Sequence, residues 1–322
     1  MKFQKRFFLT AGIFSSFLIG GAHAGLVINP TWDPSLSANL SAADVTSVQN
    51  AFNYAAQQFQ NKFNDNIQIN ITVAAQSGTG ILGQSSTNLQ FSSFSGVRNA
   101  LIADKKSADD ITAMAAGHFP TTDPTGGGTY LVPFAEAKAL GLRTANNSAS
   151  DGTFTFGAGF SYTYDPLNRA VSGKYDFIGI AEHEISEIMG RIYLLGKNLT
   201  GGADYVPFDL FRYTGSGAQS VSSSATGVYF SIDGGATNLK AFSASSDLQD
   251  WASGTNDAFN AFSSSGVMND LSAVDVQVMD VIGYDLVAVP EPANSGTLFA
   301  AALAAVGIIH QAGTRRRARP AV

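Results

Sequence analysis

The sequence predicts an α+β fold. Strand-type alternation and helix-type periodicity both recur along the chain, they do not follow one another in a regular βαβ rhythm, and no segment repeats. Gly25-Leu-Val-Ile-Asn-Pro30 reads as a short strand. Ser41-Ala-Ala-Asp44 has the form of a helix start, and Val48, Phe52, Ala55, Ala56, Phe59 and Phe63 then recur at helical spacing. IQINITVAA, 67–75, alternates as a strand does, and one or two short helices are expected in FSGVRNALIADKKSADDITAMAAG. PTTDPTGGGTYLVPF reads as a loop leading into a short strand. TFTFGAGFSYTYD, 153–165, reads as another strand or a hairpin arm, and the chain is expected to be helical from about Phe177. Beyond the Ser/Gly-rich TGSGAQSVSSSATG, VYFSIDGG is expected to form a strand and AFSASSDLQDWASGTNDAFNAF a loop-rich region. LSAVDVQVMDVIGYDL closes the region as an amphipathic helix with Val274, Val278, Val281 and Ile282 on one side.

Composition narrows the function classes. Residues 25–290 carry 12 Lys and Arg against 24 Asp and Glu, a balance that disfavours nucleic acid as a partner. The chain has no cysteine, which excludes thiolate metal sites, cysteine nucleophiles and disulfides. A region of about 265 residues therefore needs a real hydrophobic core.

The two ends read as targeting segments. MKFQKR supplies positive charge, FFLTAGIFSSFLIGG is apolar, and Ala22-His23-Ala24 is a small-x-small cleavage site, so 1–24 is expected to be a signal peptide. At the other end Val289-Pro-Glu-Pro292 precedes the apolar NSGTLFAAALAAVGIIH, and Arg315-Arg316-Arg317-Ala-Arg319 follows it. These three parts, in this order, resemble the PEP-CTERM sorting signal of Gram-negative bacteria. The resemblance implies export, a transient membrane anchor through the C-terminal helix, recognition by exosortase-type sorting machinery, and a place at the cell surface or in the extracellular matrix. A plain tail anchor is the alternative. The expected division is a leader at 1–24, a working domain at 25–287 and a sorting segment at 288–322.

Within the working domain, Gly78-Thr-Gly80-Ile-Leu-Gly83 has dinucleotide-loop spacing, but QSSTNLQ does not open a helix after it. A glycine-rich loop is the better reading. No G-x-S-x-G elbow occurs, and with both ends removed only His118 and His183 remain as imidazoles. AEHEISEIMG, 181–190, is the informative stretch. On a helix His183 and Glu187 share a face at i and i+4 and can reach one metal ion, while Glu184 stands beside them as a carboxylate able to take a proton from water. The competing reading is an acidic, solvated helix face relieved by an ordinary ion pair from Arg191, four residues after Glu187.

The order of elements and this helix resemble the zincin metallopeptidases, and metzincins in particular, whose motif is His-Glu-x-x-His-x-x-Gly-x-x-His. In this sequence His183, Glu184 and Gly190 fall in register, Glu187 stands where that motif has its second histidine, and Tyr193 where it has its third. HEISEIMGR also looks like a group of predicted metalloproteases of PEP-CTERM bacteria in which glutamate at that position is usual. The resemblance implies a mixed sheet with a long N-terminal helix and an active-site helix. His183 and Glu187 would be metal ligands and Glu184 the general base, with Met268 packed beneath the site in a Met-turn. It also implies Zn²⁺, with Mn²⁺ or another divalent ion favoured by an oxygen-rich ligand set, and a protein or peptide as substrate.

A third protein ligand must come from elsewhere. Asp209 in Val206-Pro-Phe-Asp-Leu-Phe-Arg-Tyr213 is the first choice, since a Gly201-Gly202 turn lets the chain fold back; Asp204 and His118 follow it. Trp251 is expected in the core, and Asp247, Asp250, Asp257 and Asp270 lack the spacing of a calcium loop. Two further classes stay open: a non-catalytic surface or matrix protein on a zincin-like scaffold, and a calcium-dependent carbohydrate binder.

Overall fold

The computed structural model describes residues 25–288 apart from 253 and 255. The chain divides into a compact unit ending at Asp285 and a second unit from Leu286 onward, of which only 286–288 are described. The expected signal peptide, and the expected sorting segment apart from Ala288, lie outside the described residues. Among the described residues no helix is long and apolar enough to cross a membrane.

The first unit is α+β. Its first part comprises β1 (Val27–Trp32), α1 (Ser35–Asn39), α2 (Ala42–Gln60), β2 (Gln68–Gln76), β3 (Gly83–Thr87), β4 (Leu89–Ser92), α3 (Phe94–Asp104) and α4 (Ala108–Ala113). There follow β5 (Thr129–Pro133), α5 (Phe134–Ala139), β6 (Gly152–Gly157), β7 (Tyr162–Thr163), β8 (Tyr175–Asp176) and α6 (Phe177–Met189). The last part holds β9 (Asp204–Tyr205), a 3₁₀ turn at Pro207–Phe211, β10 (Arg212–Gly215), β11 (Ala218–Gln219), β12 (Tyr229–Phe230), β13 (Lys240–Ala241) and α7 (Ala273–Val281).

One mixed sheet organises the unit, in the order β1-β2-β6-β3. β1, β2 and β6 run parallel, and β3 lies antiparallel to β6 at the edge, with Ser85 opposite Phe154. Parallel neighbours need a crossover, and α2 supplies the one between β1 and β2. α2 starts where the sequence places it: the Ser41 hydroxyl accepts from the Asp44 amide, satisfying one of the helix's free donors. Its buried face, Val48, Phe52, Ala55, Ala56 and Phe59, packs on α6 and β1.

The core beneath the sheet is aromatic. Phe52 of α2 stacks on Phe154 of β6 at 6.1 Å, and Phe154 meets Phe177 at 5.8 Å. Phe177, the first residue of α6, also meets Phe156 edge-to-face at 5.0 Å and the rings of Tyr162 and Tyr164 at 5.5 and 5.2 Å. The entry of α6 is thereby fixed against the sheet. The stretch expected as one strand over 153–165 is two, β6 and β7, because the chain turns at 158–161 to bring Tyr162 under Phe156. Phe177→Ala removes a fully buried ring from this cluster and is expected to cost about 3–5 kcal/mol, read from urea denaturation.

Candidate metal centre

α6 is buried on nearly every side, yet Glu182, Glu184 and Glu187 all lie on it. Each acidic group must therefore find a partner. Glu182 points away from the cleft and accepts from Arg169 Nη2 at 3.1 Å; Arg169 also pairs with Asp176 and Asp270. His183, Glu184 and Glu187 face a cleft of about 310 Å³, walled by Gly83, Gln84 and Ser85 of β3 on one side and by Ser246, Asp247 and Asp250 on the other.

His183, Glu187 and Asp250 each offer a ligand atom, and the three atoms lie within 4.8 Å of one another. His183 Nε2 stands 3.3 Å from Glu187 Oε1 and 3.5 Å from Asp250 Oδ1. These separations exceed those of strong charged hydrogen bonds, about 2.7–2.9 Å. They match the spacing of ligand atoms around a tetrahedral ion, about 3.3–3.6 Å for bonds of about 2.0–2.2 Å. The other imidazole nitrogen, Nδ1, sits 2.9 Å from the Ala258 carbonyl oxygen, an acceptor that keeps a proton on Nδ1 and orients Nε2 into the cluster.

Neighbours hold the carboxylates in turn. Glu187 Oε2 accepts from Ser85 Oγ at 2.5 Å and Oε1 from Gln249 Nε2 at 2.7 Å. Arg191, fully buried, donates from Nη1 to Asp250 Oδ1 at 2.7 Å, stands 3.6 Å from Glu187 Oε1 and lies over the Phe259 ring at 4.3 Å. The ion pair expected between Arg191 and Glu187 is thus present, but its shorter arm goes to Asp250.

The protonation states follow from this packing. Burial would hold the His183 proton off, as would Arg191, but Asp250 and Glu187 outweigh both and raise the imidazole to about 9. Burial opposes ionisation of Glu187, yet His183, Arg191 and Ser85 bring it down to about 2. Glu184 is pushed well up by burial and by the charge of Glu187. A proton on His183 sits between two carboxylates, in the position a divalent cation would take on displacing it.

The third member of the cluster is Asp250, where the sequence leads one to expect Asp209. Asp209 is buried within the 3₁₀ turn, and its Oδ2 accepts from the amides of Leu194 and Val206 at 3.1 Å each. Its work is to hold two loop ends together. Asp204 likewise accepts from Thr200 in its own loop, and His118 Nδ1 meets the Thr112 carbonyl at 2.7 Å, beside a different hollow. Tyr193 does not continue the ligand face, because Gly190, at φ +131°, ends α6 before it. A side chain at 190 would also meet Glu136 Oε2 at 2.9 Å, so both backbone and space require glycine there.

Met268 is 41% exposed and does not pack beneath the site; Met189 and Met279 are the buried methionines. Trp251 is in the core as expected, its indole N–H donating to Asp275 at 2.7 Å. The glycine-rich stretch is a loop that runs into β3, and its last glycine bears on the site: a Cβ at Gly83 would stand 2.6 Å from both Glu184 Oε1 and Ile180 Cγ2. Asp250, Gln249, Ser85 and the Ala258 carbonyl were not marked as ligands or their supports by any local spacing. The one available signal was the acid beside a core tryptophan in Gln249-Asp250-Trp251, an unusual place for a carboxylate without a task.

No family model, no curated protein and no solved structure matches the chain.

Asp250→Asn is expected to lower bound Zn²⁺ or Mn²⁺, measured by mass spectrometry, whereas Asp209→Asn leaves it unchanged. Burial raises the Asp209 carboxyl to about 7 against Arg212 and the two amides. Its folded value lies above the unfolded one of about 4, so its contribution to stability is full below pH 4 and lost as pH rises through 7. Asp209→Asn therefore gains stability relative to wild type from pH 5 to pH 8, a trend that thermal melts in chelator would show.

Proposed function

We propose that the protein is a metal-dependent peptidase of zincin-like architecture, exported and sorted to the cell surface. His183, Glu187 and Asp250 hold the ion and Glu184 acts as general base and acid. The observation that carries the reading is the spacing of the Glu187 and Asp250 oxygens from His183 Nε2, together with the Ala258 carbonyl behind the ring. An N/O donor set of one imidazole and two carboxylates suits Zn²⁺ and also harder divalent ions such as Mn²⁺. Export and surface sorting rest on the two ends of the sequence, as does an encounter with exosortase-type machinery.

A bound divalent ion supplies an electrophile that polarises the scissile carbonyl. The remaining work belongs to the chain. Glu184, on the cleft side of α6 and pressed between Gly83 and Glu187, takes a proton from the attacking water and returns it to the leaving amine. Its raised affinity for a proton suits a group that must both accept and give one. Among the described residues β3 pairs with β6 alone, which leaves its outer edge, beside Glu187, to take an extended peptide as an added strand. His183 is oriented by Ala258, Glu187 by Ser85 and Gln249, and Asp250 by Arg191, so the ligand set needs little rearrangement on loading.

The second reading is a non-catalytic surface or matrix protein on the same scaffold. Arg191 favours it, because a buried guanidinium already compensates Asp250 and Glu187 without an ion.

Metal analysis and turnover separate the two. Glu184→Gln is expected to keep about one equivalent of metal while lowering peptide hydrolysis by roughly 10²–10⁴-fold. A wild-type protein that takes up neither zinc nor manganese would sink the peptidase reading. Gly83→Ala, which drives a methyl group into the Glu184 carboxyl, is expected to lower kcat by roughly 10²-fold with metal retained, measured on the same peptides.

A further inference from the structure

The cleft wall has a one-sided chemistry. Gln84, Ser85, Ser246 and Ser263 line it beside the acids, and among the described residues no lysine or arginine does. Inside, Glu187 and Asp250 are met by His183 and Arg191. Asp247 is outside that balance. It is an exposed residue of the cleft lining, on the same turn as Asp250, whose amide donates to the Asp247 carbonyl oxygen at 3.1 Å. Its carboxylate is 3.5 Å from the Tyr193 hydroxyl, and among the described residues no lysine or arginine forms an ion pair with it. The cation near Tyr193, Lys197, sits on the ring at 5.1 Å instead. The turn is tied to the buried cluster through Arg191 and Asp250, so Asp247 stands at a defined place on the rim.

We infer that the cleft takes peptides with a lysine or arginine beside the bond to be cut, and that Asp247 receives that side chain. The inference rests on the cleft being the substrate site proposed above and names the substrate class it would select. A carboxylate without a cation partner attracts an incoming ammonium or guanidinium and repels a carboxylate, so discrimination comes from both signs. An exposed pair of this kind gives a preference of about fivefold, weakening with salt.

The test reads binding, not cleavage. Two dye-labelled heptapeptides of alanine and glycine, differing only in a central lysine or glutamate, are titrated by fluorescence anisotropy into full-length Glu184→Gln protein. The lysine peptide is expected to bind about fivefold tighter at about 50 mM salt, with the gap closing towards about 500 mM. Adding Asp247→Asn should abolish the difference, and Asp247→Lys should reverse it, with thermal melts showing that both variants fold. Equal binding in the parent, a preference that survives Asp247→Asn, or binding of neither peptide would each overturn the inference. Failure of the peptidase reading appears elsewhere, as absent metal uptake and turnover in the wild type, and leaves the binding comparison readable.

Discussion

The constraint on which the rest depends is that α6 is buried while carrying charge on opposite sides. An amphipathic surface helix can leave its glutamates in water; this one cannot, since all its residues but His183 are buried. Glu182 and Glu187 are therefore met by cations or donors from other parts of the chain, since an ionised carboxylate left unmet would cost several kcal/mol, while Glu184 is pushed towards its neutral form by burial and by Glu187. Arg169 meets Glu182 and Asp176 on one side, and Arg191 with His183 meets Glu187 and Asp250 on the other. The fold is the arrangement that delivers these partners while Phe177 is locked under the sheet. Stability and site chemistry therefore share the same side chains.

The two halves of the unit contribute differently. The first builds a frame of parallel strands with α2 and α6 beneath them, and it sets His183, Glu184 and Glu187 on a rigid helix. The second supplies Asp250, Gln249 and the Ala258 carbonyl from irregular chain. That chain is held by its own network: Trp251 donates to Asp275, Lys240 pairs with Asp257, and the Asp257 carboxylate accepts from the Phe259 amide at 2.9 Å. A ligand carried on a loop is placed well only when the loop is pinned. Trp251, next to Asp250 in sequence and fully buried, is that pin.

The sequence makes local structure and the helical half of the site readable, since both depend on short spacing. α2 with its Ser41 cap, β2, the two helices after Phe94, α6 and α7 all follow from periodicity and end signals. So does the shared face of His183 and Glu187. What depends on chain return is not readable. Strand order, the antiparallel edge β3, and the choice of Asp250 over Asp209 are fixed by packing across long separations. Asp209 looked suitable because a glycine turn precedes it, but the turn directs that acid to two free amides, a demand as physical as a metal's and invisible to residue type. The place expected for Met268 follows from motif order, whereas burial is decided by which side of a loop faces the core, and Met268 is exposed.

Arg191 changes how the glutamate in the histidine position should be read. Replacing an imidazole by a carboxylate adds a negative charge next to another carboxylate, and in a buried cluster that would favour protonation over ion binding. A guanidinium 2.7 Å from Asp250 and 3.6 Å from Glu187 cancels the added charge at its source. Its planar donors fix the carboxylates as well as neutralise them. The pairing of Glu187 with Arg191, four residues later and just past the end of α6, therefore brings the charge of the cluster near that of a neutral-histidine set. The same guanidinium thus serves either reading: it compensates Glu187 and Asp250 by itself, and on the proposed metal site it lets two carboxylates stand beside one imidazole without mutual repulsion deciding their protonation.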